Sequence, residues 1–391
     1  MREVYVAGVG MTKFGRSEFK SQLELFGEAA MDAINESGLK PKDIQAMFLG
    51  NAQGAADEGI TVGAQHACAE IGLGNIPAIR LEAACSSGTT AIINGFMWIA
   101  SGFADIVLAA GTERNTASST DNATRLMNTG PHHRYEGPTG ITFPGVFGLV
   151  AHNYSHAYNI PMGELKEVMC KISQKHHHNA TFNPRAQFRK ELTREKYYES
   201  AMVADPLQLF DCCPMSDGSA AMVLCSKEAA QKLTDKPVQI IGIGQASAGG
   251  LITQKDYIRP IARETSAKMA YKMAGITPKD IDVIELHDCF TIAEIVAIEG
   301  LGIAEYGKGW ETEAKEETAL TGRIPVNPSG GLKAKGHPVG ATGVAQGFEI
   351  VSQIRGNCES GRQLENVKIG LTDTMGGPLA AVGNIIYKRG W

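Results

Sequence analysis

The chain has 391 residues, 43% of them hydrophobic and 20% charged, and a formal net charge of −5. That is enough apolar material for two large domains or one duplicated fold. The dispersed basic residues exclude a nucleic-acid face but leave room for a local cationic rim around a phosphorylated ligand, and no apolar run reaches membrane-spanning length.

Met1-Arg2-Glu3-Val4-Tyr5-Val6-Ala7-Gly8 enters a strand pattern without a signal-peptide core or an Arg-rich transit sequence. The other end, Lys388-Arg389-Gly390-Trp391, is no peroxisomal address, so the expected location is the cytoplasm. The cysteines at 68, 85, 170, 212, 213, 225, 289 and 358 lack Cys-x-x-Cys spacing, which argues for free thiols rather than a zinc ribbon or a secreted disulfide framework. The Asn-x-Ser/Thr triplets at Asn122, Asn153 and Asn179 then carry no glycosylation meaning.

Alternating elements open the chain: a strand over Val4 to Val9, a helix over Gln22 to Ser37, a strand over Ala46 to Gly50 and a buried strand over Ala104 to Gly111. Gly38-Leu39-Lys40-Pro41-Lys42-Asp43-Ile44 returns as Gly275-Ile276-Thr277-Pro278-Lys279-Asp280-Ile281, each after a helical stretch and before a strand. Both copies read helix, Gly stop, Pro-Lys-Asp turn, strand, and a chain with such a repeat folds as two related α/β halves. The expected domains are 1–116 plus 206–235, an inserted loop domain over 117–205, and 236–391. The insertion is rich in His, Asn, Tyr and Lys/Arg; Ser216-Asp217-Gly218-Ser219 then turns into a returning strand over Ala220 to Cys225. The second half begins with Val238 to Gly242 and ends with Val367 to Leu371.

Several motifs are set aside. Gly8-Val9-Gly10 lacks the third glycine of a dinucleotide fingerprint, because Lys13 stands there; Gly10 to Ser17 resembles a phosphate loop, but Arg16 replaces its lysine. His152 and His156 have helical zinc spacing with Asn153 in place of the metalloprotease glutamate. His176-His177-His178 reads as a solvated face, and Cys212-Cys213 as packing beside the Asp-Gly turn.

Reactive residues gather in three places. Cys85 precedes a Ser-Ser-Gly-Thr-Thr-Ala helix entry, where unpaired N–H groups favour a thiolate and a nearby oxyanion; in isolation it reads more readily as a small core residue, and the other motifs reverse that weighting. His287-Asp288-Cys289-Phe290 closes the strand Val283 to Leu286, the strand end at which open α/β sheets place their sites. His337 lies on the glycine-rich turn Gly336 to Gly343, in the second copy's counterpart of the Cys85 region, so twofold pseudo-symmetry brings His337 toward Cys85.

Together these residues resemble the thiolase superfamily along essentially the whole chain. The resemblance implies an α/β, duplicated αβαβα layered fold with an inserted loop domain. It implies Cys85 as the acyl-accepting nucleophile and His337 as its activating histidine. His287-Asp288-Cys289-Phe290 is similar to the block of the archaeal and sterol-carrier-protein-like branch, where commoner thiolases have Asn-Glu-x-Phe. Commoner thiolases also carry a second cysteine in Cys-x-Gly-Gly-Gly, whereas this chain has Thr374-Met375-Gly376-Gly377-Pro378, so the resemblance moves the acid/base role to Cys289. His287 and His337 would hold the enolate, and the N–H groups of Cys85 with Gly376 or Gly377 the acyl oxyanion.

The implied activity is acetyl-CoA C-acetyltransferase, making acetoacetyl-CoA for isoprenoid synthesis by the mevalonate route. Acetyl-CoA and other short acyl-CoA are the expected substrates, and no metal or redox cofactor is expected. The implied assembly is a homodimer or homotetramer, with a further complex of hydroxymethylglutaryl-CoA synthase and a small zinc-containing bridging protein. The alternatives are a degradative 3-ketoacyl-CoA thiolase for longer chains and a noncatalytic acyl-CoA or lipid-binding scaffold.

Overall fold

The computed structural model describes residues 1–54, 58–61, 63–117, 119–127 and 130–391. In chain order its elements are β1 (Val4–Met11), α1 (Gln22–Glu36), β2 (Ala46–Gly50), α2 (Gly63–Glu70), β3 (Ala78–Leu81), α3 (Ser87–Ser101) and β4 (Ile106–Arg114). After β4 come α4 (Thr120–Met127), α5 (Phe143–Ala157), α6 (Met162–Thr181), α7 (Arg194–Glu199), the ribbon β5 (Met202–Ala204) and β6 (Leu207–Gln208), then β7 (Asp217–Ser226) and α8 (Lys227–Leu233). The remainder is β8 (Val238–Ser247), α9 (Ile261–Ala274), β9 (Val283–Glu285), α10 (Thr291–Gly300), α11 (Gly309–Ala314), α12 (Thr342–Arg355), β10 (Ile369–Gly376) and β11 (Ala381–Arg389).

The repeated phrase folds alike in both places. Gly38 and Gly275 leave their helices at φ +73° and +67°, a conformation glycine adopts without strain. Asp43 then accepts the Lys40 N–H at 2.8 Å, and Asp280 the Thr277 N–H at 2.8 Å, closing the same short turn before β2 and β9. Duplication extends to the sheet, whose order is β3-β2-β4-β7-β1-β8-β11-β10-β9. Counting outward from the β1/β8 junction, β7 corresponds to β11, β4 to β10, and β2 to β9.

Five layers follow from what each strand face buries. One face of the first half packs on α1 through Tyr5, Met47, Leu108 and Val223, and one face of the second packs on α9 through Ile284, Leu371 and Ile386. The opposite faces of both halves enclose α3 and α12 in a shared core that includes Phe48, Phe96, Val344 and Tyr387. The helices between β4 and β7 bury Phe147, Leu165 and Ile172 against Ile292 and Val296 of α10, so this segment of the first half leans on the second. No helix among the described residues is long and apolar enough to cross a membrane.

Several strand boundaries differ from those expected from the sequence. Asp217 and Gly218, expected in a turn, are already strand, because they pair with Arg114 and Glu113 of β4. Strands β8 and β10 run to Ser247 and Gly376, past the expected ends, and the second half closes with β11 rather than with Val367–Leu371, because β11 pairs with both strands over its length.

The halves meet at backbone distance. A Cβ on Gly111 would lie 2.2 Å from the Gly340 carbonyl oxygen and 2.9 Å from Cα of Ala341. Neither obstacle is the end of a flexible side chain, so Gly111→Ala is expected to destabilise the protein by about 1–3 kcal/mol. Urea denaturation should show a lower midpoint at constant slope; an unchanged midpoint would contradict the close approach.

Candidate active site

Cys85 sits on a sharp strand-to-helix turn. Ala84 adopts φ +48°, a left-handed conformation costly for alanine. The turn is held by Ser87, whose Oγ accepts the Ala83 N–H at 2.9 Å and donates to the Ala84 carbonyl at 2.6 Å. Ser86 and Thr89 on the following turn contact Thr374 Oγ1 at 3.2 and 2.5 Å, tying the cysteine's helix to β10.

His337 is fixed from every side. Its N–H donates to Ser216 Oγ at 2.9 Å and its carbonyl accepts from Asn115 Nδ2 at 3.3 Å. Ring Nδ1 lies 2.6 Å from Thr342 Oγ1, and that hydroxyl donates to the Pro338 carbonyl at 2.9 Å. With its own proton engaged, Thr342 accepts from His337, which places the ring proton on Nδ1 and leaves the Nε2 lone pair free.

His287 follows β9, and its ring meets that of His337 edge-on with centroids 5.0 Å apart. One ligand atom each from Cys85, His287 and His337 lie within 4.8 Å of one another. Cys289 is buried beside them; its carbonyl accepts the Cys213 N–H at 2.9 Å, and its thiol feels the charges of Cys213 and Cys85. The structure therefore gathers all four expected side chains. Gly377 joins through its amide, which bears on the Cys85 sulfur together with the N–H of Cys85 itself.

The electrostatics depart from the expected thiolate. Burial pushes the Cys85 thiol up to about 12, Glu113 adds to the rise, and the two amides only partly oppose it. Burial likewise lowers His337 to about 4, and burial with His337 and Arg263 holds His287 well below its usual value. At neutral pH the resting pair is thus thiol and neutral imidazole, so any attack by the Cys85 sulfur requires its proton to pass to a base such as Nε2. Burial also raises Cys289 well above an ordinary thiol, with Arg263 opposing.

Sequence reading missed several members. Glu113 accepts from Gly340 N–H at 3.0 Å, and Cys213, read as simple packing, borders the site. The histidine run is not a solvated face: His176 and His177 are buried and only His178 is exposed. His176 instead stands between Asp288 and Glu294, while His152 pairs with Asp205 at 2.7 Å, outside either group of three ligand-type residues among the described residues. All eight cysteines are unpaired.

Two outcomes follow for Cys85. Because the free thiol titrates far above neutrality, alkylation by iodoacetamide should keep rising from pH 6 to 9; a plateau near pH 7 would mean a resting thiolate. Thr342→Val removes the acceptor that fixes the His337 tautomer and should slow alkylation at pH 7.5 by about tenfold or more, and an unchanged rate would reject that orienting role.

Comparison with known proteins agrees with this geometry. Residues 4–228 match the family described as "Thiolase, N-terminal domain" and residues 244–389 match "Thiolase C-terminal domain-like". The chain is 42% identical to "Acetyl-CoA acetyltransferase" of Methanothermobacter thermautotrophicus over 100% of both chains. It is 37% identical to the protein of the same name from Methanocaldococcus jannaschii, over 96% of each. Among solved structures, "Ltp2-ChsH2(DUF35) aldolase" shares the fold with TM-score 0.83 at 24% identity, covering 99% of this chain and 98% of that one. With both halves matched and full-length relatives at this identity, the chain belongs to the thiolase family of acyltransferases.

Proposed function

We propose that this protein joins two acetyl-CoA into acetoacetyl-CoA and CoA through an acetyl-Cys85 intermediate. The observation that carries this reading is the convergence of the Cys85 thiol with the His287 and His337 rings, with ligand atoms within 4.8 Å of one another, beside the buried Cys289. The full-length likeness to acetyl-CoA acetyltransferases supports acetyl-CoA as the substrate.

Cys85 gives its proton to His337 Nε2 as sulfur attacks the thioester carbonyl. The oxyanion takes the N–H groups of Cys85 and Gly377, or of Gly376, and His337 returns the proton to the departing CoA sulfur. A second acetyl-CoA then places its thioester oxygen against an N–H of His287 and against a water that is held by the His337 Nε2 lone pair and donates to that oxygen. Cys289 passes its own proton to the neutral His287 ring and takes the α-proton, the carbanion attacks the acetyl carbonyl on Cys85, and His287 returns its proton to the released Cys85 sulfur, so the cycle closes without net proton change. The high pKa of Cys289 makes its thiolate a strong base once formed, and the neutral ring of His287 is the neighbouring proton acceptor. Acyl and proton transfer change no net oxidation state, so the reading needs no redox cofactor, and it assigns the polarisation of both carbonyls to N–H donors rather than to a metal.

The Thr374 hydroxyl is no candidate for this shuttle. It is fully buried, contacts Ser86 and Thr89, and donates to the Gly383 carbonyl at 3.3 Å.

The reading extends to a cytoplasmic homodimer or homotetramer. Strand β3 ends the sheet with its outer edge unpaired among the described residues and Ile79 exposed there, an edge that a second copy can cover. Acetoacetyl-CoA would feed the mevalonate route, with hydroxymethylglutaryl-CoA synthase and a small zinc-containing protein as partners that draw off an unfavourable product.

Incubation with acetyl-CoA followed by peptide mass spectrometry should find acetyl on Cys85; a label that persists elsewhere in Cys85→Ala would overturn the assignment. Cys289→Ala should still acetylate Cys85 yet lose exchange of acetyl-CoA methyl protons with deuterated water, whereas Thr374→Ala should keep both. Condensation by Cys289→Ala at the wild-type rate would transfer the base role to another group.

A further inference from the structure

Helix α6, between β4 and β7, carries a fully buried histidine that the reaction above does not use. His176 Nδ1 stands 2.8 Å from Asp288 Oδ2, and its Nε2 stands 2.8 Å from Glu294 Oε2. Both carboxylates are held below the ordinary range despite burial, chiefly by His176 itself. A neutral imidazole has one N–H and one lone pair, so a neutral ring would turn its lone pair toward a carboxylate. An imidazolium presents an N–H toward each of the two carboxylates, and the two 2.8 Å separations fit that form of the ring. Burial pulls its pKa down, and Glu294 and Asp288 more than reverse that, to about 9.

The surrounding charges agree. Lys175 bridges Glu294 and Glu313, and Lys333 Nζ donates to the Cys212 carbonyl at 2.6 Å. A metal centre of His176, Asp288 and Glu294 does not fit, because each ring nitrogen already faces a different carboxylate and one ion cannot lie on both sides of the ring. His177 and His178 turn elsewhere, to the Lys190 carbonyl and to Glu191.

Asp288 links this cation to the chemistry. It lies between His287 and Cys289 in sequence, and its other contacts are the N–H groups of Leu332 at 2.8 Å and Lys333 at 3.3 Å. Those amides belong to the π-helical turn Gly331–Lys335, which leads into Gly336 and His337. The turn is pressed against the carboxylate: Gly331 has φ +59°, and a Cβ there would meet Asp288 Oδ2 at 2.4 Å. A second buried pair, Lys335 with Glu285 at 3.0 Å, joins the same two segments.

We propose that His176 is a positioning residue: a buried cation from the segment between β4 and β7 that clamps Asp288 and Glu294, and through Asp288 sets the relative places of His287, Cys289 and His337. The kinetic part of its test rests on the condensation proposed above; the spectroscopic part does not.

At pH 8 exposed histidines are largely neutral, so 15N-histidine spectra of the wild-type protein should show a ring with both nitrogens protonated. His176→Gln keeps a donor for one carboxylate only. It should lower kcat for condensation by about tenfold to hundredfold, with KM for acetyl-CoA changed by less than about threefold, since remote misplacement costs turnover rather than binding. Absence of a doubly protonated ring at pH 8, or wild-type kcat in His176→Gln or His176→Phe, overturns the proposal. A wild-type protein that shows the imidazolium but does not condense acetyl-CoA would defeat the proposed reaction and leave the clamp standing.

Discussion

The site depends on one buried carboxylate. Glu113, at the end of β4, accepts Asn51 Nδ2 at 2.9 Å, Gln53 N–H at 3.0 Å and Ala52 N–H at 2.8 Å from its own half, and Gly340 N–H at 3.0 Å from the other. An apolar side chain there would leave buried amides unsatisfied on both sides of the junction, at a cost of about 1–3 kcal/mol for each. The charge therefore holds the turn of His337 against the strand end that lies beside Cys85, where Gly111 leaves room for the Gly340 carbonyl. The same charge raises the Cys85 pKa. An anchor of this kind works against a standing thiolate, and the proposed reaction compensates by coupling nucleophilic attack to proton transfer through His337.

That coupling explains why so many hydrogen bonds converge on one imidazole. A ring that carried a permanent proton could be held by any nearby carboxylate. A neutral ring that must present its lone pair to sulfur needs a neutral acceptor on Nδ1, and Thr342 supplies one while donating its own proton to Pro338. Charged neighbours are kept one layer further back, in the Glu285–Lys335 pair and the His176 cluster, where they order the backbone around the rings.

The fold was legible because its signals are local. Gly-x-x-Pro-Lys-Asp appears twice, and each copy closes the same Asp-capped turn. The side chains that gather at the candidate site were also legible, since Cys, His and Cys appear abruptly beside small residues at element ends. Their supports were not. Ser216, Asn115, Thr342 and Glu113 act across distances in sequence that no periodicity records, and each is an ordinary polar residue until its partner is known. His176 was misread for the same reason. Three adjacent histidines suggest a wet helix face, but the ring of His176 is buried between Glu294 of α10 and Asp288, which the turn before His337 holds through its amides.

Duplication alone does not make this site. Equivalent strand ends have taken different work: the end of β2 supplies Asn51 and its neighbouring amides to Glu113, whereas the end of β9 supplies His287 and Cys289. The segment between β4 and β7 has no counterpart between β10 and β11, which a short turn connects. Its helices lie on α10, where Glu294 would be an isolated buried charge without Lys175 and His176. An isolated carboxylate at that depth is strongly disfavoured, so the second half cannot hold its reactive strand end as observed until α6 has docked. Cys85 comes from one half and His287, Cys289 and His337 from the other, and the segment between β4 and β7 supplies the cations that let the second half's side chains be buried together.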